Sequence, residues 1–254
     1  MLFDLQGPRK TMVKVVYLGL AILMAGGLVL FGIGSNVNGG LADVFGGSDS
    51  TSAAKDSVNK YSEQVQANPK NEEALQKLIA ARYSLAGDPK NFNQAKGTFS
   101  KEGTDQLNQA KKNWLAYNKL TDGKPNLTTA NYAVSVYLGL QDAKGATAVQ
   151  QLVTEKQPNA ANYLALMLYA SYAGDSLVAA GAEQRARELA TKDEKKEVAD
   201  QIKEIQKQVG ERSAAIQKQI QEQFSQQSQQ GQPSNPFGGL GGGGANGGVA
   251  TGTK

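Results

Sequence analysis

The chain has 254 residues, a formal net charge of +4, 29 glycines and 7% aromatic residues, a composition that supports one modest core rather than a chain folded from end to end. It contains neither cysteine nor histidine, which excludes disulfides, thiolate nucleophiles, zinc sites built on those ligands, haem ligation and every catalytic triad that relies on histidine. Three of the 27 basic residues but only one of the 23 acidic ones fall in the first 34 positions, so the remainder is nearly neutral. No block of basic residues interleaved with aromatics gives the footprint of a nucleic-acid binder.

In chain order, residues 1–14 form a basic N-terminus, with Arg9, Lys10 and Lys14 against Asp4. Residues 15–34, VVYLGLAILMAGGLVLFGIG, follow without a charged side chain. As a helix the 19 residues from Val15 to Ile33 rise about 28 Å, close to the roughly 30 Å of a hydrocarbon core, and the stretch predicts one transmembrane helix. The run is longer than a signal-peptide core and no A-x-A-like site follows, so the expectation is an uncleaved anchor. The basic flank places the N-terminus in the cytoplasm. The expected localisation is the plasma membrane, single-pass, with the main domain extracytoplasmic. Ala21 and Ala25 form a small-residue pair suited to packing a partner helix. Residues 35–52, rich in glycine and serine, read as a flexible tether.

Helical periodicity dominates residues 53–192. Val58, Tyr61 and Val65 recur at helical spacing, as do Leu75, Leu78, Ile79 and Arg82 with Tyr83. Strand-like alternation is absent. The breaks NPKN (68–71), AGDPKN (86–91), TDGKPN (121–126), DAKG (142–145), QPN (157–159) and AGD (173–175) supply helix stops followed by good N-cap residues. The pattern predicts a ladder of short antiparallel helices.

Pro125 and Pro158 stand 33 residues apart, each followed by asparagine and an alanine- and tyrosine-rich helix. That is close to the period of about 34 residues of tetratricopeptide repeats. The chain resembles that family most clearly here, with Ala130, Ala133, Val134 and Tyr137 at first-helix consensus positions and Ala146, Val153 and Pro158 fitting the second helix and its exit. Ala133 and Ala146 are small enough for the two helices to approach closely while Tyr137 fills the seam. A third unit places Leu164, Met167, Leu168 and Tyr172 on its first helix and Ala180 on its second. A first unit carries Leu75, Leu78 and Ala81, then Ala110, Trp114 and Tyr117, but its connection over residues 87–105 is far longer than a repeat turn.

The resemblance implies a stacked array whose concave face, lined by the first helix of each pair, binds an extended peptide. The family's groove positions fall on Gln76 and Tyr83, on Asn131 and Ser135, and on Tyr169 and Tyr172. Such a groove is polar and aromatic and lacks the basic cluster that clamps a carboxylate in some members. Tyr83 and Tyr172 are equally suited to packing between helices.

Residues 193–226, with Val198, Ile202, Ile205, Val209, Ile216, Ile220 and Phe224, read as one long amphipathic capping helix. Its second half is open to joining two copies into a homo-oligomer, although Gly210 and Arg212 interrupt the seam. Residues 227–254 are a Gln- and Gly-rich tail too polar to bury a core, with Phe237 and Leu240 isolated in it. No P-loop, dinucleotide fingerprint, His-Glu metal motif or nucleophile elbow occurs, so no catalytic, cofactor-binding or metal residue is expected. Glu183 and Glu188 read as solvated helix positions, and the Asn126-Leu127-Thr128 triplet as an N-cap rather than a glycosylation acceptor.

The expectation is an all-α, tetratricopeptide-like helical-hairpin array with a long C-terminal capping helix, preceded by one transmembrane helix. It would act as a membrane-anchored interaction scaffold for protein or peptide partners at the cell envelope, assisting export, folding or assembly. The alternative is a structural, self-associating envelope tether acting through the C-terminal helix and tail.

Overall fold

The computed structural model describes residues 50–230. Among them eight helices follow one another: α1 (Ser50–Ala67), α2 (Glu72–Ala86), α3 (Lys101–Leu120), α4 (Leu127–Gly139), α5 (Ala143–Lys156), α6 (Ala160–Ala173), α7 (Ser176–Leu189) and α8 (Lys195–Gln230). The polar breaks start these helices by capping. Asn71, Ser100, Asn126, Asp142, Asn159 and Asp175 each accept a backbone N–H of the first turn with the side chain, satisfying donors that the helix itself leaves orphaned. Gly174 ends α6 in the left-handed conformation at φ 77°, where a side chain would be strained.

Successive helices from α1 to α7 pack side by side, and α2 also meets α4, so the first helices of the first two hairpins are neighbours, as in a repeat array. The main cluster joins Leu75 and Ile79 of α2, Trp114 and Tyr117 of α3, Ala133 and Tyr137 of α4, and Ala146 and Val153 of α5. Large side chains of this kind stabilise the fold by roughly 1.5–3 kcal/mol each when fully buried. A separate cluster closes the far end: Leu164 and Met167 of α6 and Ala182 and Ala186 of α7 receive Val198 and Ile202 of α8. In the third hairpin the expected small contact at Ala180 is shifted, because Ala180 is exposed while Ala179 and Ala182 are buried.

The long connection between α2 and α3 contains the antiparallel pair β1 (Phe92–Asn93) and β2 (Thr98–Phe99), with Phe92 opposite Phe99. Two residues per strand are too few to show alternation, which is why the sequence reads as helix and loop alone. The connection is locked at its base. Buried Asn91 donates from Nδ2 to the Leu85 carbonyl at 2.8 Å, and the Ser100 N–H donates to the Asn91 carbonyl at 2.7 Å.

The chain divides into two compact units, Met1–Val209 and Gly210–Lys254. The described part of the second is the remainder of α8, where Ile216 and Ile220 are about half exposed.

The expected transmembrane helix is corrected. Among the described residues no helix is long and apolar enough to cross a membrane. α4 and α6 carry no charge, but at 13 and 14 residues they rise only about 20 Å against the roughly 30 Å needed. α8 has the length, at 36 residues, yet lysines and glutamates recur along it. The segment 15–34 that carried the expectation lies outside the described residues, as do residues 1–14, most of the tether and nearly all of the tail. The described residues form an all-α array of packed helices, none of which spans a membrane. The single-pass plasma-membrane localisation, the membrane as a partner, the membrane-anchored scaffold and the alternative envelope tether find no membrane-spanning helix to support them among the described residues.

Candidate peptide-binding face

The first helices of the hairpins, α2, α4 and α6, set the candidate face. α4 lies between neighbours and keeps only a narrow, partly exposed row that includes Asn131 and Tyr132. On α6 Ala161 is exposed, and Ala165, Leu168 and Tyr172, which follow it at intervals of four, three and four as a stripe on one side of the helix, are partly exposed, as are Asn162, Tyr163, Ser171 and Ala173. Ala165, Leu168 and Tyr132 all pack against the main cluster, which places the α6 stripe and the α4 row on its border.

Tyr83 of α2 meets Tyr132 of α4 with ring centroids 5.9 Å apart and planes tilted by 60°, within the range of favourable aromatic pairs. Burial pushes the Tyr83 phenol above its ordinary pKa, opposed by a hydrogen bond with Ser135. Ser135 is itself buried and its Oγ donates to the Asn131 carbonyl at 3.2 Å, a back-bond along the helix. Burial, with Tyr83 adding to it, pushes Tyr132 up to about 12. Both phenols therefore stay neutral throughout the physiological range. They offer hydroxyl groups and ring faces and carry no charge.

The structure thus brings Tyr83, Asn131 and Ser135 together, with Tyr172 on the stripe of α6. It sends the other two expected residues elsewhere. Gln76 is turned toward α3, donating from Nε2 to the Tyr117 hydroxyl at 3.2 Å, and the same oxygen accepts the Asn126 N–H at 2.9 Å. Tyr169 is buried in the main cluster, where loss of solvent pushes its phenol up to about 12. Tyr132 was not among the expected positions. Transferring groove positions by register selects Asn131 and passes over its neighbour; an aromatic residue on an uncharged helix was the signal available.

Other features have plainer roles. Glu183 and Glu188 form ion pairs with Arg187 and Arg185 on α7, at 2.8 and 2.7 Å. An open cleft of about 570 Å³ lies along the hairpin between Pro89 and Ser100. A smaller one of about 210 Å³ lies between α1 and α2, beside Tyr61 and Lys77. Among the described residues no group of acidic side chains could hold a metal ion.

No family model, curated protein or solved structure matches the chain. The expected tetratricopeptide domain on a membrane anchor is accordingly corrected to what the helices themselves establish, an all-α domain whose helix–helix contacts resemble a repeat array.

Proposed function

We propose that the helical domain is a non-catalytic binding module that holds a segment of a polypeptide partner along α2, α4 and α6. The observation that carries this reading is the partly exposed Tyr83–Tyr132 pair, with Ala165 and Leu168 of α6 packed on the same main cluster as Tyr132. Aromatic rings give large contact area at little cost in rotamer entropy, and their hydroxyls can meet backbone groups of a bound chain. Buried helices beneath them keep the surface in place before the partner arrives, which favours association.

Photo-crosslinking tests the reading. A crosslinking phenylalanine analogue in place of Tyr132 should capture discrete polypeptides, and capture should disappear when Tyr83→Ala is added. The same analogue in place of Leu115, an exposed residue of α3, should capture none. Equal capture from both positions would remove the proposal.

A further inference from the structure

The chemistry of the occupant can be read from the charges around the face. Neither α4 nor α6 contains an aspartate, glutamate, lysine or arginine. On α2 the acidic Glu72 and Glu73 stand in the first turn, and Lys77, whose Nζ lies 2.6 Å from Glu73 Oε1, borders the cleft against α1. Arg82 is turned to the opposite seam, donating from Nη2 to Ser62 Oγ of α1 at 3.2 Å and from Nη1 to Gln106 Oε1 of α3 at 2.8 Å. A charged side chain brought onto α4 and α6 would lose its water and meet no opposite charge, an arrangement that opposes binding.

The end of the face is apolar as well. Gly139 stands seven residues beyond Tyr132 and so on the same side of α4. Phe99 of β2 packs over it, close enough that a Cβ at Gly139 would lie 3.2 Å from Phe99 Cε2. Tyr83 and Phe99 both pack against the cluster of Ala86, Leu107 and Val136, so the hairpin extends the aromatic surface that Tyr83 begins.

From this we infer that the occupant is an uncharged polypeptide segment bearing aliphatic or aromatic side chains, held by apolar contact and hydrogen bonds and not by ion pairing. The inference rests on the binding face proposed above. The test is selection of a random dodecapeptide phage library on the full chain, followed by affinity measurement of the retained peptides at about 50 and about 500 mM NaCl, a range over which charge contacts are strongly screened. Retained peptides should be uncharged and rich in Leu, Ile, Val or Phe. Their Kd should change by less than about twofold across the salt range, and should weaken more than about tenfold in Tyr83→Ala/Tyr132→Ala, as loss of two aromatic anchors implies. Peptides that need both tyrosines but are charged, and weaken about tenfold or more with salt, would overturn the inference while leaving the binding face standing. An empty selection, or one indifferent to both tyrosines, would overturn the face and the inference together. The salt series uses the unaltered chain, so it decides the matter even where the double variant fails to fold.

Discussion

The first two hairpins solve the same problem with different connections. Between α4 and α5 the chain turns within three residues, helped by Gln141 at φ 57°; between α2 and α3 it runs through fourteen, including the small β-pair. Yet both second helices begin alike. Ser100 and Asp142 cap α3 and α5, and each side chain accepts the N–H of a glycine three residues on, Gly103 at 3.1 Å and Gly145 at 2.9 Å. Neither glycine has room for a side chain. A Cβ at Gly103 would lie 2.7 Å from the Asn91 carbonyl oxygen, and one at Gly145 would overlap the Cδ1–Cε1 edge of the Tyr137 ring. The connections vary while the close approach at the start of the second helix is kept. In the third hairpin Val178 occupies that position, capped by Asp175, so the close approach belongs to the first two hairpins only.

Gly145→Ala should break this parallel most severely. Tyr137 is buried beneath Lys111, whose Nζ lies 5.0 Å from the ring centroid, so displacing the ring disturbs the core and the cation contact. A loss of about 2–3 kcal/mol is expected, read as a fall in Tm by circular dichroism. Gly103→Ala should cost less, about 1–2 kcal/mol, because the overlap with the Asn91 carbonyl oxygen is shallower than that with the Tyr137 ring while the gain in helix propensity is the same for both. Hydrogen exchange should reveal it as faster exchange at Asn91 and Ser100, the base of the hairpin. If both alanine variants keep wild-type Tm, the close approach has no energetic weight.

The Lys111–Asp142 pair sharpens the comparison further, since the first unit has no equivalent at its cap Ser100. Nζ lies 2.8 Å from Oδ2, with each side chain about one-third exposed. The hydrogen bond from Lys111, then that from the Gly145 N–H, holds the Asp142 carboxyl below its ordinary pKa, and the same hydrogen bond raises that of Lys111. A lowered carboxyl pKa gives stability that is complete above the unfolded value of about 3.9 and disappears as pH falls through the folded value. A raised lysine pKa gives stability that is complete below about 10.4 and disappears as pH rises through the folded value. Asp142→Asn should therefore lower stability by a nearly constant amount between these limits, at most about 1 kcal/mol at this exposure. The difference from wild type should shrink in acid; urea unfolding at a series of pH values would detect a flat or inverted profile and exclude this account.

The smallest effect expected is a gain. Gly181 lies on exposed α7 with nothing within 4 Å of an added Cβ, so Gly181→Ala should stabilise by about 0.5–1 kcal/mol through helix propensity. A loss there would show that packing space is a poor guide to which glycines are required.

Much of this architecture was legible because short polar signals act locally. The turn residues name their own caps: Asn126 Oδ1 accepts the Thr128 N–H at 2.9 Å, as the N-cap reading of that triplet requires. Ala133, Ala146 and Tyr137 share one buried cluster, as their spacing implied. Long-range features were less legible. Whether a tyrosine at a groove position faces outward, as Tyr83 partly does, or fills the core, as Tyr169 does, depends on helices distant in sequence. The hairpin was hidden because it is held by Asn91, bonded to the Leu85 carbonyl, and by Phe99, which packs onto the helices with Phe92 against it, and periodicity carries no trace of that. The hydropathy of residues 15–34 fixed a length and a polarity, while the helices that are described have either sufficient length or sufficient apolarity and never both.

The chain's single tryptophan, Trp114, is 2% exposed in the main cluster, with Tyr117 6.1 Å away. Intrinsic fluorescence is consequently a local gauge. Its emission reports the seam between the first and second hairpins, whereas α7 and α8 pack in a cluster that contains no indole. In arrays held by nearest-neighbour contacts, ends can melt before the middle. Loss of α7 and α8 would then lower helical ellipticity while the tryptophan still emitted at its buried wavelength, and the gap between the two optical transitions would measure how far cooperativity extends along the stack.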